Sequence, residues 1–261
     1  MGVPDIYTKS LLHMDGANAS TTFTDESGKT WIALNNAQID IAQSVFGGAS
    51  GLFDGTGDYI RTAASLDWAN GTKSWTFDFR IRFNALPTNG VTQIVWGQRE
   101  YPSANKINQI CFLNTSGVYS FYLQSYTGSW TKPIDENITI AVNTWYHFEM
   151  ARNGSSWYIF QDGTQIGSTT TDSISLSDPN AVATIGEAEE SGSPMGVAIN
   201  GWMDEFRYSE GIARHTANFI PPTHAYGQLP KINTINGVPM TNIKTLCGKP
   251  IDDLKTLQGI T

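Results

Sequence analysis

Ten consecutive residues, Ser74-Trp75-Thr76-Phe77-Asp78-Phe79-Arg80-Ile81-Arg82-Phe83, alternate between apolar and polar side chains. A period of two over this length specifies a long strand with one face on a core and the other in water. Segments 91–96, 118–124, 145–151, 157–161 and 202–208 read as further strands, and no amphipathic helix lies between them. In the third of these, Tyr146, Phe148 and Met150 share a face. Asn153-Gly154 and Asp162-Gly163 then supply hairpin turns, so an antiparallel meander of three strands is predicted. The pattern makes the chain an all-β protein, a sandwich whose function lies in its loops and sheet faces.

The 12 Phe, 10 Tyr and 8 Trp suffice for a two-sheet core, and 25 Gly suit many turns. A formal net charge of −8 argues against nucleic acid, which needs a clustered basic surface. No run of eighteen apolar residues exists, so membrane insertion is not expected. The start, Met1-Gly2-Val3-Pro4-Asp5, lacks the layout of a secretion signal. Cys111 and Cys247 are far apart in sequence and read as two unpaired thiols of a protein made in a reducing cytoplasm.

Pro221-Pro222 and the stretch through Pro230 mark a boundary. The expected organisation is an arm over 1–8, a β domain over 9–226 and a tail over 227–261. The tail repeats with a period of eleven: Ile232-Asn-Thr-Ile235-Asn-Gly237-Val-Pro239, then Ile243-Lys-Thr-Leu246-Cys-Gly248-Lys-Pro250, then the shorter Leu254-Lys-Thr-Leu257-Gln-Gly259. A segment of this size cannot bury Ile232, Ile235, Ile243, Leu246, Leu254 and Leu257 alone. Either it winds with copies from neighbouring subunits into a β-rich stem, or it packs on another protein. Its four Lys and two Asp give it +2, leaving −10 on the rest.

Three motifs carry a family resemblance. They are Leu11-Leu12-His13-Met14-Asp15-Gly16, the run Phe46-Gly47-Gly48-Ala49-Ser50-Gly51-Leu52-Phe53-Asp54-Gly55-Thr56-Gly57-Asp58-Tyr59-Ile60, and Gly201-Trp202-Met203-Asp204-Glu205-Phe206-Arg207-Tyr208. In this order they resemble the LamG-like, concanavalin A-like jelly-roll domains of bacteriophage structural proteins, and the tail resembles the repeats of phage tail and fibre components. The resemblance implies two antiparallel sheets in which the first and last strands pair, with 11–15 beside 202–208. No cofactor is expected, but the resemblance leaves room for a structural calcium ion, for which Asp15, Asp25, Asp54, Asp58 and Asp204 are candidate oxygen donors. The competing reading is that each Asp caps a turn.

Enzymes of this superfamily use a Glu-x-Asp-x-x-Glu strand, and no such pattern occurs here. Asp78 and Glu149 are each alone in their strands, and Asp204 and Glu205 are adjacent, hence on opposite faces unless a bulge intervenes. Retaining glycosidases need two carboxylates about 5–5.5 Å apart, so no catalytic residue is assigned. His147 is placed on the solvent face of its strand. Trp96, Tyr101, Tyr126 and Trp130 escape the core pattern, and their rings are candidates for sugar contact or for burial at the sandwich edge.

The resulting expectation is a non-enzymatic virion component displaying a lectin-like domain toward a host surface glycan. The tail would attach it to other virion proteins or join it as a homotrimer at the virion surface. The alternatives are a purely structural head or tail decoration protein and a polysaccharide depolymerase.

Overall fold

The computed structural model describes residues 4–100, 106–195 and 198–228, together with the backbone of four dipeptides further on. The chain divides into two compact units, Met1–Gly227 and Gln228–Thr261.

The first unit is an antiparallel jelly-roll sandwich, as the alternation and the resemblance require. Its strands are β1 (Thr8–Leu12), β2 (Trp31–Leu34), β3 (Gln38–Asp40), β4 (Ser50–Asp54), β5 (Tyr59–Thr62), β6 (Trp75–Ala85), β7 (Thr92–Glu100), β8 (Lys106–Thr115) and β9 (Val118–Tyr126). They continue with β10 (Trp130–Ile138), β11 (Trp145–Asn153), β12 (Ser156–Gln161), β13 (Thr164–Thr171), β14 (Ala183–Ile185), β15 (Glu189–Glu190), β16 (Ser193–Pro194) and β17 (Asn200–Glu210). The first sheet runs β13-β12-β11-β6-β17-β4-β3, with β1 also on β17; the second runs β10-β9-β8-β7-β14-β5-β2.

The predicted meander is β11-β12-β13, with Asn153 paired to Ser156 and Gln161 to Thr164 across its two turns. The first and last strands of the sandwich pair, Leu11 opposite Arg207 and Leu12 opposite Phe206. Asp5, just ahead of β1, accepts from both terminal nitrogens of Arg214.

The apolar side of β6 meets the second sheet: Phe77 lies 4.6 Å from Trp96, Phe79 6.0 Å from Phe121 and Phe83 5.1 Å from Phe112, centroid to centroid. Each such buried ring is favourable by roughly 1.5–3 kcal/mol, a gain largely offset by chain entropy. Cys111 is free and buried, while Cys247 lies outside the described residues.

The other side of β6 is not in water. Thr76 and Asp78 on β6, and His147 and Glu149 on β11, are buried. Residues 211–226 fold back across this face, which the strand period alone cannot foresee. Thr76 Oγ1 donates to the Ile212 carbonyl and accepts from the Arg214 amide. The Phe219 amide bonds the Gly163 carbonyl at 2.9 Å, so close that a Cβ at Gly163 would collide with the Phe219 carbonyl. Gly163 also has φ +75°, a backbone that favours glycine.

In the second unit, β18 (Thr234–Ile235) pairs with β19 (Val238–Pro239), and β20 (Thr245–Leu246) with β21 (Lys249–Pro250), both antiparallel. The two hairpins occupy equivalent positions of the eleven-residue repeat. Ile232, Ile243, Leu254 and Leu257 lie outside the described residues.

Candidate functional site

Period two along β9 puts Ser120, Tyr122, Gln124 and Tyr126 on one side of the second sheet, facing away from the core. Phe121 and Leu123 take the core side. Register extends the outward set across neighbours: Trp130 opposite Tyr126, Asp135 opposite Tyr122 and Asn137 opposite Ser120 on β10, and Gln109 opposite Gln124 on β8. Of this outward set Trp130, Asp135 and Asn137 are exposed, Ser120, Gln124 and Tyr126 are half-buried, and Tyr122 and Gln109 are buried, Tyr122 in a small cluster with Ile94, Cys111 and Ala188.

At the tip of this face, the Tyr126 and Trp130 rings meet edge to face at 5.1 Å, and Trp130 is 52% exposed. Further along, Lys132 Nζ sits 3.8 Å from the centre of the Tyr122 ring and 3.2 Å from Asp135 Oδ2. The Tyr122 hydroxyl lies 3.2 Å from Thr92 Oγ1, and Gln124 Nε2 donates to Gln109 Oε1 at 2.8 Å. Beyond Lys132 a groove of about 630 Å³ opens between Leu113, Ser120, Asp135, Glu136 and Ile166. Burial and the neighbouring Asp135 raise the Glu136 carboxyl above its usual range. A tryptophan face beside fixed amides and carboxylates can stack on a sugar ring and bond its hydroxyls.

Sequence reasoning found Tyr126 and Trp130 but missed Tyr122, Lys132 and Asp135. The two-residue spacing Tyr122–Gln124–Tyr126 was the available signal. Trp96 is corrected: it is fully buried, packed on Trp68 and Phe77. A bulge between Ile94 and Trp96 shifts the pleat of β7, sending Ile94 outward and both Val95 and Trp96 into the core. Tyr101 lies outside the described residues.

The five candidate calcium donors separate into two groups. Asp25 accepts from Ser10 Oγ, the Leu11 and Ser27 amides and Trp31 Nε1. Asp58 accepts from the Asn36 and Asp54 amides, and Asp54 from the Thr56 amide and Asn36 Nδ2. These three cap turns, so they do not fit an ion. Asp15 and Asp204 differ, each leaving one buried carboxylate oxygen without a partner. Burial, opposed by the Val45 and Phe46 amides and reinforced by Glu205 and Asp15, pushes Asp204 up to about 7. Those two orphaned oxygens suit a hard cation, although among the described residues no three Asp, Glu, His or Cys side chains group as metal ligands.

A second acid cluster lies under residues 211–226. Glu149 stands opposite Asp78 in the β11–β6 register; the two carboxylates, alone in their own strands, meet across strands. Asp78 Oδ2 bonds Arg207 Nε at 3.0 Å, and Glu149 Oε2 bonds His215 Nδ1 at 2.7 Å. His147 Nε2 lies 3.0 Å from the Tyr226 hydroxyl. Its placement on a solvent face is corrected: it is covered, and burial lowers its pKa to about 4. A bulge between Asp204 and Arg207, with Glu205 at φ +53°, explains why both adjacent acids are buried. Glu205 accepts from the Tyr226 amide and lies 2.7 Å from His13 Nδ1. Both acids of the Asp78–Glu149 pair are sealed from solvent, Asp78 held by Arg207 and Glu149 by His215.

The sheet order, the strand pairing and this sequence agree with one family model, described as the concanavalin A-like lectin/glucanases superfamily, which matches residues 54–212. The chain belongs to the concanavalin A-like superfamily. No curated protein matches it in sequence. Among solved structures it is similar to domain 4 of the extracellular GH43 arabinanase AbnA from Geobacillus stearothermophilus, in complex with arabinotriose. That match has 14% identity and a TM-score of 0.55, covering 78% of this chain and 92% of that one. It is also similar to the binding domain of Paraclostridial Mosquitocidal Protein 1, with 14% identity, a TM-score of 0.58 and coverage of 80% and 50%. Trypanosoma rangeli sialidase gives 12% identity and a TM-score of 0.54, with 79% of this chain and 31% of that one covered. The concanavalin A-like chain thus spans about half of the toxin binding domain and under a third of the sialidase. At these identities the likeness is one of fold.

Proposed function

We propose that the jelly roll is a non-enzymatic glycan-binding module that recognises sugars on the β9–β10 face. The observation that carries this reading is the half-exposed Trp130 set against Tyr126, on the same two strands that further along line an open groove with hydrogen-bonding side chains. The arabinanase domain solved with arabinotriose supports it, since that jelly roll holds an oligosaccharide. Against turnover stands the sealing of the Asp78–Glu149 pair, which no substrate reaches while residues 211–226 are in place.

In the same reading the chain is a bacteriophage virion protein whose tail attaches it to other virion subunits or joins three copies. The resemblance of the sequence motifs to phage proteins and the repeated hairpins of the tail support this. A structural calcium between Asp15 and Asp204 belongs to it as well. A glycan array tests the central claim: binding to at least one sugar that Trp130→Ala removes is expected, and no binding to any sugar would leave a purely structural decoration protein. Release of reducing ends from host polysaccharide would instead make it a depolymerase.

A further inference from the structure

We infer that the β9–β10 face selects uncharged sugars and rejects anionic ones such as sialylated or uronate glycans. The inference rests on the glycan-binding reading and concerns the charge on that same side of the second sheet. An anionic sugar needs a cation free to meet it, and among the described residues each of the three cations placed there by register and pairing is already committed. Lys132 is held between Asp135 and the Tyr122 ring. Arg61 bonds both oxygens of Glu189 at 3.0 and 2.9 Å. Arg99 donates to Glu190 at 2.6 Å.

The carboxylates are in excess. Asp135 and Glu136 flank the groove, against Lys132 as its one cation. A carboxylated or sulfated sugar would therefore break an existing ion pair or lie beside Asp135 and Glu136, and both are unfavourable. A neutral ring loses nothing by stacking on Trp130, while Asp135, Asn137 and Ser120 can accept and donate to its hydroxyls.

The test uses the full chain and matched probes by calorimetry: lactose against 3′-sialyllactose, and β-1,4-galactotetraose against tetragalacturonate, each at 50 and 500 mM NaCl, alongside an array of neutral and acidic glycans. The expected result at 50 mM NaCl is binding of neutral members at least tenfold tighter than their anionic partners, with neutral binding unchanged and the ratio narrowed at 500 mM. Asp135→Asn with Glu136→Gln should narrow that ratio, while Trp130→Ala abolishes binding. Tighter binding of the anionic partner, weakened by salt, would overturn the selectivity while leaving glycan binding in place. Silence across the whole array would overturn both.

Discussion

The two outward faces of the sandwich have opposite fates. On the first sheet, residues 211–226 cover Thr76, Asp78, His147 and Glu149, and every ionisable group there is tied to a neighbour. On the second, the β9–β10 edge keeps Trp130 half-exposed and Lys132, Asp135 and Asn137 in water. The sealed face holds the side chains that look most like chemistry: paired acids, histidines and an arginine. Burial turns them into structure, because a carboxylate packed under residues 211–226 and bonded to Arg207 or His215 is out of a ligand's reach. The open face holds the solvated Lys132–Asp135 ion pair and one exposed aromatic pair, which is where a ligand can act.

The largest expected difference between the faces is in stability. Arg207→Leu leaves Asp78 charged and desolvated, and unfolding in urea should show a loss of roughly 3–5 kcal/mol. The double change Asp78→Leu with Arg207→Leu should restore most of it. Lys132→Leu on the open face breaks an ion pair whose partners are 39% and 37% exposed; it should cost less than about 1 kcal/mol. Equal losses from Arg207→Leu and Lys132→Leu would erase the distinction.

Acid should strike the covered face next. His147 is pressed neutral among Asp78, Arg80, Arg207, His215 and the Tyr226 hydroxyl, with its pKa lowered by burial to about 4 against an ordinary 6.5. Above pH 6.5 neither the folded nor the unfolded chain protonates it, so it has no effect. As pH falls from 6.5 toward 4, the unfolded chain gains a proton that the folded one refuses, and stability drops by roughly 3 kcal/mol. His147→Phe should flatten that part of the pH–stability curve measured by thermal melting. An unchanged slope would mean that the imidazole is not sealed. Smaller again is Gly163→Ala, which meets the Phe219 carbonyl and an unfavourable φ. A loss of about 1–3 kcal/mol is expected, accompanied by faster amide exchange at Phe219.

How much of this was legible in the residues follows from what each feature depends on. Alternation in 74–83 and the Asn-Gly and Asp-Gly turns depend on near neighbours, so β6 and the β11-β12-β13 meander could be read directly. The covering of Asp78 depends on Arg207 and on residues 211–226, more than 120 positions away and without any period. Nothing local distinguishes a strand face that meets water from one that meets a returning loop. Trp96 was misread because one bulged residue reverses the pleat, and alternation is blind to that. Glu205 lay beyond reach for the same reason. Tyr126 and Trp130 could be named as candidates because they fall at strand ends around the polar Thr127-Gly128-Ser129. Tyr122 and Lys132 needed the β9–β10 register.

The smallest effect on folding should come from the residue that matters most for binding. Trp130 is 52% exposed and touches chiefly Tyr126, so Trp130→Ala should move stability by no more than about 0.5 kcal/mol. Its indole face is nevertheless the largest apolar surface that the β9–β10 edge offers to a ring, and stacking contacts of this kind are worth about 0.5–1.5 kcal/mol beyond area alone. Binding of a neutral oligosaccharide should therefore collapse in a protein that melts at its normal temperature. Trp130→Phe should recover part of it, since a smaller ring keeps the stacking and loses area. A variant that melts early and binds normally would reverse the assignment, making Trp130 a brace for the β9–β10 hairpin and moving the site elsewhere on the sheet.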